Sequence, residues 1–199
     1  MRQPPDLAAI RAAMVDPGQP SSDFDLNPDT ILPAGRRLRP AGVLVAVMDG
    51  ASGLELILTK RSSVLKHHPG QIAFPGGKQE DSDADVTAAA LREADEEIGL
   101  PPQNVEILGQ LAPHETVTSF IVTPVIGYVH TAFTPVPERG EVDEVFTVPL
   151  NHVLDPTNYV VEGRRWRGQQ RSYFAVPFGP YYIWGATARM LRTWTDLMI

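Results

Sequence analysis

Within residues 76–100, read as GGKQEDSDADVTAAALREADEEIGL, Arg92, Glu93, Glu96 and Glu97 combine the residue types that can hold a hard cation. Carboxylate oxygens suit Mg2+ or Mn2+, and spacings of i, i+3 and i+4 make the three glutamates neighbours on a helix. Without a cation such a cluster is costly. In the last helical turns each acid opposes the helix dipole by roughly 0.3–1 kcal/mol, and each like-charged neighbour adds about 0.2–0.5 kcal/mol. A bound cation reverses both signs. The other reading is a solvated acidic face partly neutralised by Arg92, and the residues before the helix bear on the choice. There Phe74-Pro75-Gly76-Gly77 forms a turn poor in side chains, where backbone amides and carbonyls can approach a metal or a phosphate.

The elements that must position these residues follow from periodicity and caps. Ser82, Asp83 and Asp85 are N-cap candidates, and Gly99 followed by Pro101 marks a stop, so a helix is predicted over about 85–98. Its apolar stripe is Thr87, Leu91, Ala94 and Ile98, with Glu93, Glu96 and Glu97 projecting elsewhere. Residues 41–48 and 54–59 read as strands joined by DGASG, and residues 71–74 as a short strand entering the glycines. Further strands are predicted over 105–111, 120–129 and 142–148, with a late pair at 172–176 and 181–184 around a turn at 177–180. Pro124 predicts an edge or a bulge in its strand. A last helix, about 186–197, carries Met190, Leu191, Trp194 and Leu197 as core residues. Strands on both sides of a central helix, with a second helix at the end, predict an α/β fold with a mixed sheet between helical layers. Residues 1–35 read as an irregular N-terminal arm with a short helix, from an amphipathic stretch at 7–15, and residues 36–199 as one domain.

Composition excludes several functions. With no cysteine, the chain has no disulfide, thiol nucleophile or cysteine-ligated zinc site. A net charge of -7 disfavours a protein that grips nucleic acid along its backbone. The longest apolar run, 41–48, is too short to span a bilayer, and no apolar leader is visible, so a soluble cytoplasmic protein with no membrane partner is expected. Local basic clusters nevertheless occur at Arg36, Arg37 and Arg39, at Lys60, Arg61, Lys66, His67 and His68, and at Arg164, Arg165, Arg167 and Arg171. They point to a small polyanionic ligand. Oligomeric state is open, a homodimer included.

Together these motifs resemble the Nudix hydrolase family, whose box reads G, five residues, E, seven residues, R-E-U-x-E-E-x-G-U, with U aliphatic. Gly77, Arg92, Glu93, Ala94, Glu96, Glu97, Gly99 and Leu100 fall on it. Eight residues separate Asp83 from Arg92 where the general box has seven, so the acidic partner of Arg92 stays open. Upstream, residues 57–77 resemble the signature of the coenzyme A branch, LLTxRSx3Rx3Gx3FPGG, with Ile57 in place of Leu and Lys66 in place of Arg. Residues 122–125, 143–145 and 183–187 are also similar to that branch, so the resemblance covers roughly 40–194.

The resemblance implies a Nudix-type α/β/α sandwich with a central mixed sheet. It implies hydrolysis of the diphosphate of coenzyme A or acyl-CoA to 3′,5′-ADP and (acyl-)4′-phosphopantetheine. The implied metal ligands for Mg2+ or Mn2+ are Glu93, Glu96, Glu97 and the Gly77 carbonyl; substrate would be bound by Arg61, Lys66 and Gly76. Glu93 and Arg92 are the implied catalytic residues, with Arg92 orienting a glutamate. The general base is Glu93 or a later acid, among Glu115, Glu138, Glu141 and Glu144. His67 and His68 are read as loop-stabilising, Phe74 as core, and Arg164, Arg165 and Arg167 as an exposed turn. The alternatives are hydrolysis of another nucleoside diphosphate derivative such as ADP-ribose, or a non-catalytic nucleotide-sensing module. Missing cysteines disfavour a zinc-ribbon NADH diphosphatase, and the acidic balance disfavours RNA decapping.

Overall fold

The longest apolar run becomes the strand against which everything else packs. In the computed structural model, residues 5–166 and 169–199 are described, so Arg167 of the basic cluster lies outside the described residues. In chain order the elements are α1 (Leu7–Ala13), β1 (Ser21–Ser22), β2 (Arg39–Gly50), β3 (Gly53–Arg61), β4 (Ile72–Ala73), β5 (Gly76–Lys78) and α2 (Val86–Ile98). There follow β6 (Val105–Gln110), β7 (His114–Glu115), β8 (Phe120–Val129), β9 (Val142–Pro149), α3 (Leu150–Val153), β10 (Val160–Trp166), β11 (Gln169–Ala175) and α4 (Gly185–Leu197).

The main sheet runs β1-β7-β8-β2-β3-β4, with β5 also on β2, β6 on β8 and β9 on β3. It is mixed: β2 and β8 are parallel, as are β1 and β7, and the other pairs are antiparallel. Alternation along the strands divides the core in two. Ala41, Val45, Val47, Leu56, Leu58, Val122 and Ile126 face a layer containing Ile10, Ala188, Leu191 and Trp194, while Leu44, Ala46, Ile57, Val125 and Val129 face Ala90, Ala94 and Ile98 of α2. Covering both faces explains why β2 reads as a nearly unbroken apolar run. This is the α/β/α arrangement with a mixed central sheet that the sequence predicts.

Several expectations need correction. Pro124 lies on an interior strand, not at an edge, because β8 has β2 on one side and β7 then β6 on the other. It falls where β7 gives way to β6, and its carbonyl accepts the Leu111 N–H at 2.9 Å, so its missing donor interrupts no continuous ladder. The predicted late strand at 181–184 is reduced to isolated bridges, Ala175 with Trp184 and Phe178 with Tyr181. β11 instead pairs with β10, so Arg164 and Arg165 lie on a strand of a hairpin rather than in a turn. The arm carries the expected short helix, α1, whose Ile10 is fully buried, and adds a strand that was not expected, since β1 joins the main sheet beside β7.

Candidate active site

The glutamate helix is held at both ends by its caps. Asp85 accepts the Ala88 N–H at 2.8 Å, and Gly99 ends the helix in the left-handed region at φ 68°. Its buried face keeps Ala94 and Ile98 of the predicted stripe, with Leu91 packed against them, and extends to residues the stripe did not include. Ala89, Ala90, Ala94, Glu97 and Ile98 are buried, whereas Thr87 and Leu91 lie at the margin, where the Thr87 hydroxyl accepts from Gln110. Small residues on both sides permit this close approach: a Cβ on Gly42 of β2 would sit 2.0 Å from the Val86 carbonyl oxygen.

Glu93 and Glu97, one turn apart, face the loop made by the paired glycines. Gly76 has φ 152°, and a Cβ there would come within 2.5 Å of the Gly42 carbonyl oxygen. A Cβ on Gly77 would meet the Glu93 carboxylate at 2.5 Å. Gly76 therefore requires glycine for the loop to pass beside β2, whereas a side chain at Gly77 would displace the Glu93 carboxylate. The Gly76 N–H donates to Glu97 Oε2 at 3.1 Å. Glu97 is only 5% exposed, and burial pushes its carboxyl up to about 7, with the Glu93 and Glu141 charges adding to the effect and the Gly76 amide and Arg61 opposing it. Burial also raises Glu93, against Arg92, with Glu96 and Glu141 adding to the rise. The local potential is thus negative and incompletely compensated.

Arg92 resolves the ambiguity of register. Its Nε and one terminal nitrogen donate to the two oxygens of Asp83 at 3.0 Å each, and that carboxylate also accepts the Glu80 N–H at 2.8 Å. Asp83 is the acidic partner. The paired guanidinium holds the Asp83 carboxyl below the usual carboxylate range. The other terminal nitrogen of Arg92 reaches Glu93 at 3.0 Å and Glu96 at 2.9 Å, so one side chain ties the loop before the helix to two of the three glutamates.

The three glutamates therefore do not converge. Glu96, with its side chain 60% exposed, is turned to Arg92, while Glu93 and Glu97 face the glycine loop. Among the described residues, no three histidine or acidic side chains stand as a ready metal cage. The donor chemistry still fits a hard divalent cation: two carboxylates, both with raised pKa, lie beside two glycines that bring backbone but no side chain to them.

The signature upstream of the loop divides in the structure. Arg61, at the end of β3, lines a cavity of ≈ 500 Å³ together with Gly76, and its Nε is buried without a hydrogen-bond partner. Lys66 lies instead on the exposed loop between β3 and β4 and is not among the residues lining this cavity. His67 is exposed, but His68, at φ 55°, borders both this cavity and an adjoining one of ≈ 730 Å³. Phe74 is core, at 4% exposure, and also lines the cavity.

The later acids separate as well. Glu115 is paired with Arg36, and Glu144 accepts the Tyr181 hydroxyl at 2.5 Å. Glu138 accepts the Glu141 N–H, and its own N–H donates to the Glu97 carbonyl, fixing their loop at the end of α2. Exposed Glu141 is the one of these four whose charge acts on both Glu93 and Glu97. The sequence reading missed Asp23 and Asn27 of the arm, and Tyr173, Trp184 and Thr187 near the C-terminus, all of which line the cavity. Only residues 183–187 carried a signal, through their resemblance to the branch.

The NUDIX domain family matches residues 38–166, which include the glycine loop and the whole glutamate helix. The chain belongs to the Nudix family. A relative from Enterobacter sp. (strain 638), named uncharacterized Nudix hydrolase NudL, is 42% identical over 137 residues, covering 69% of this chain and 71% of the relative. A protein of the same name from Klebsiella pneumoniae (strain 342) is 37% identical over 182 residues, covering 86% of this chain and 94% of the relative. Among solved structures, the NUDIX domain of Shewanella oneidensis NrtR complexed with ADP ribose aligns with a TM-score of 0.53 at 14% identity, covering 86% of this chain and 96% of that one. That likeness concerns the fold alone. Nudix hydrolases act on nucleoside diphosphate derivatives and generally use divalent metals such as Mg2+ or Mn2+, in keeping with the oxygen donors of this site.

Proposed function

We propose that this Nudix hydrolase cleaves the diphosphate of coenzyme A or acyl-CoA with Mg2+ or Mn2+, giving 3′,5′-ADP and (acyl-)4′-phosphopantetheine. The observation that carries the reading is the junction of the coenzyme A-type signature with the glutamate site: Arg61 and Gly76 line one cavity, and Gly76 is bonded to Glu97. In this reading Glu93 and Glu97 hold the cation with the Gly77 carbonyl, and Glu96 joins them when released from Arg92. A cation held there would supply charge neutralisation of the diphosphate and a lowered pKa for a bound water. Gly76 fixes the Glu97 carboxylate through its amide, and Arg61, whose Nε is buried without a hydrogen-bond partner, donates to a phosphate oxygen. Lys66, being exposed, meets the outer phosphate of the nucleotide. Arg92 is a positioning residue: it holds Glu93 and Asp83 and does not itself meet the substrate. Glu141 is our candidate to accept the proton of the attacking water at its carboxylate, with Glu93 as the alternative.

Comparative hydrolysis of coenzyme A, 3′-dephospho-coenzyme A and ADP-ribose by the full chain tests the substrate. Coenzyme A should have the highest kcat/KM; a clear preference for ADP-ribose overturns the reading. Glu141→Gln should depress kcat while the concentration of Mn2+ needed for half-activity stays constant, and an unchanged kcat removes Glu141 as the base.

A further inference from the structure

The pairing of β3 with β9 is regular from Glu55 with Pro149 to Lys60 with Glu144, and then it steps. A continuous antiparallel ladder would place Asp143 opposite Arg61. Arg61 is instead opposite Val142, so Asp143 is the extra residue of a β-bulge and has no partner across the ladder. Bulges bend a strand and re-aim its side chains, and this one stands where β3 delivers Arg61 to the ≈ 500 Å³ cavity beside Gly76.

Outside the ladder, the Asp143 carboxylate is available to the neighbouring chain. The Ser63 N–H donates to Asp143 Oδ2 at 2.9 Å, and the Ser62 N–H donates to the Glu141 carbonyl at 2.8 Å. The Ser63 amide, with help from Ser62, holds the Asp143 carboxyl below the usual carboxylate range, so it is an ionised acceptor at neutral pH. On the other side, the Arg61 N–H donates to the Gln71 carbonyl at 2.9 Å, and the Gly70 N–H donates to the Arg61 carbonyl at 3.0 Å. The backbone over 61–63 is thus clamped from both sides. Among these bonds only the one to Asp143 uses a side chain, so it is the one that a substitution removes. The guanidinium has no comparable anchor at Nε, which is buried without a hydrogen-bond partner. Its aim depends on where the backbone leaves the strand.

We propose that Asp143 is a positioning residue for Arg61: its carboxylate, released from the ladder by the bulge, fixes the backbone turn that points the guanidinium at the phosphates. The assignment rests on the diphosphatase reading above, in which Arg61 meets a phosphate oxygen. Asp143 is exposed and is not among the residues lining the cavity, so it acts through Arg61 and not on the substrate. Its charge alone would repel a phosphate; what it contributes to binding is the geometry it holds.

Calorimetric titration of the full chain with methylenediphosphonate in Mg2+ reads Arg61 without turnover, because the carbon bridge of this diphosphate analogue is not hydrolysed. Asp143→Ala removes the acceptor at an exposed position, Asp143→Ser is a second truncation, and thermal unfolding checks that both fold. Each folded truncation should bind the probe about tenfold more weakly, whereas Asp143→Asn, which keeps an acceptor oxygen for the Ser63 amide, should stay within about twofold of the unaltered chain. Arg61→Gln should also weaken binding, and adding Asp143→Ala to it should cost less than about twofold more, since no guanidinium is left to position. Additive losses would show a general loosening of the loop, and equal losses in Asp143→Ala and Asp143→Asn would show an effect of charge. Either result overturns the assignment, as does unchanged binding in the truncations or no binding by the unaltered chain. Hydrolysis of coenzyme A, measured in parallel, separates the two claims. Non-additive losses without turnover of coenzyme A defeat the substrate reading alone, whereas turnover with additive losses defeats the positioning role alone.

Discussion

Glu97 shows how one buried charge links stability to chemistry. Its folded carboxyl lies near 7, above its ordinary value of 4.5, so the metal-free fold holds this proton between those two values while the unfolded chain releases it. The resulting contribution to stability is fully present below 4.5 and is lost as pH rises through about 7. Its size is of order 3 kcal/mol. In metal-free buffer the melting temperature should therefore fall between pH 5 and pH 8, and Glu97→Gln should flatten that fall. Mn2+ should restore stability to the unaltered chain at pH 8 and have little effect on the variant. A pH profile identical in both proteins would contradict the burial argument. At saturating substrate, Glu97→Gln should lower kcat on the order of 10²–10³-fold, and full activity at low Mg2+ would remove Glu97 from the metal site. The residue types and spacing made Glu93 and Glu97 legible in the sequence. Their separation from Glu96, and the choice of Asp83 by Arg92, were not legible, because both depend on a loop turn closed by the Glu80 amide and the Asp83 carboxylate.

At the scale of elements, α2 is positioned by a steric fit rather than by a large apolar stripe. Ala90 and Ala94 lie over β2, where Gly42 leaves room for the Val86 carbonyl. Gly42→Ala should displace the start of α2 and cost about 1–3 kcal/mol, read as a lower urea midpoint, with activity falling as the glutamates move. Unchanged stability and kcat would show that the contact is not limiting. The helix ends were readable because Asp85 and Gly99 are chemically specific caps; its buried face was readable at Ala94 and Ile98 but not at Ala89 and Ala90, since alanine fits either side of a helix. The β10–β11 hairpin escaped for a similar reason. Val160 and Val161 are both exposed, so β10 carries no alternating pattern, and its order comes from pairing with β11.

For the whole molecule, the family-matched region holds the glutamates and glycines, and the two ends of the chain complete the cavity beside them. Among the described residues, no helix is long and apolar enough to cross a membrane. The arm's role could not be read from its own polar, proline-rich sequence, because it arises from long-range contacts such as Asn27 with Ser172. Asn27→Ala removes both of these bonds. It should lower stability by about 1–2 kcal/mol and raise KM for coenzyme A several-fold with kcat preserved. A fall in kcat at constant KM would place the arm in the chemistry rather than in substrate binding. The central claim is tested most directly by product analysis after incubating the purified chain with coenzyme A and either Mg2+ or Mn2+. Equimolar 3′,5′-ADP and 4′-phosphopantetheine are the predicted products; absence of 3′,5′-ADP with both ions would contradict the account.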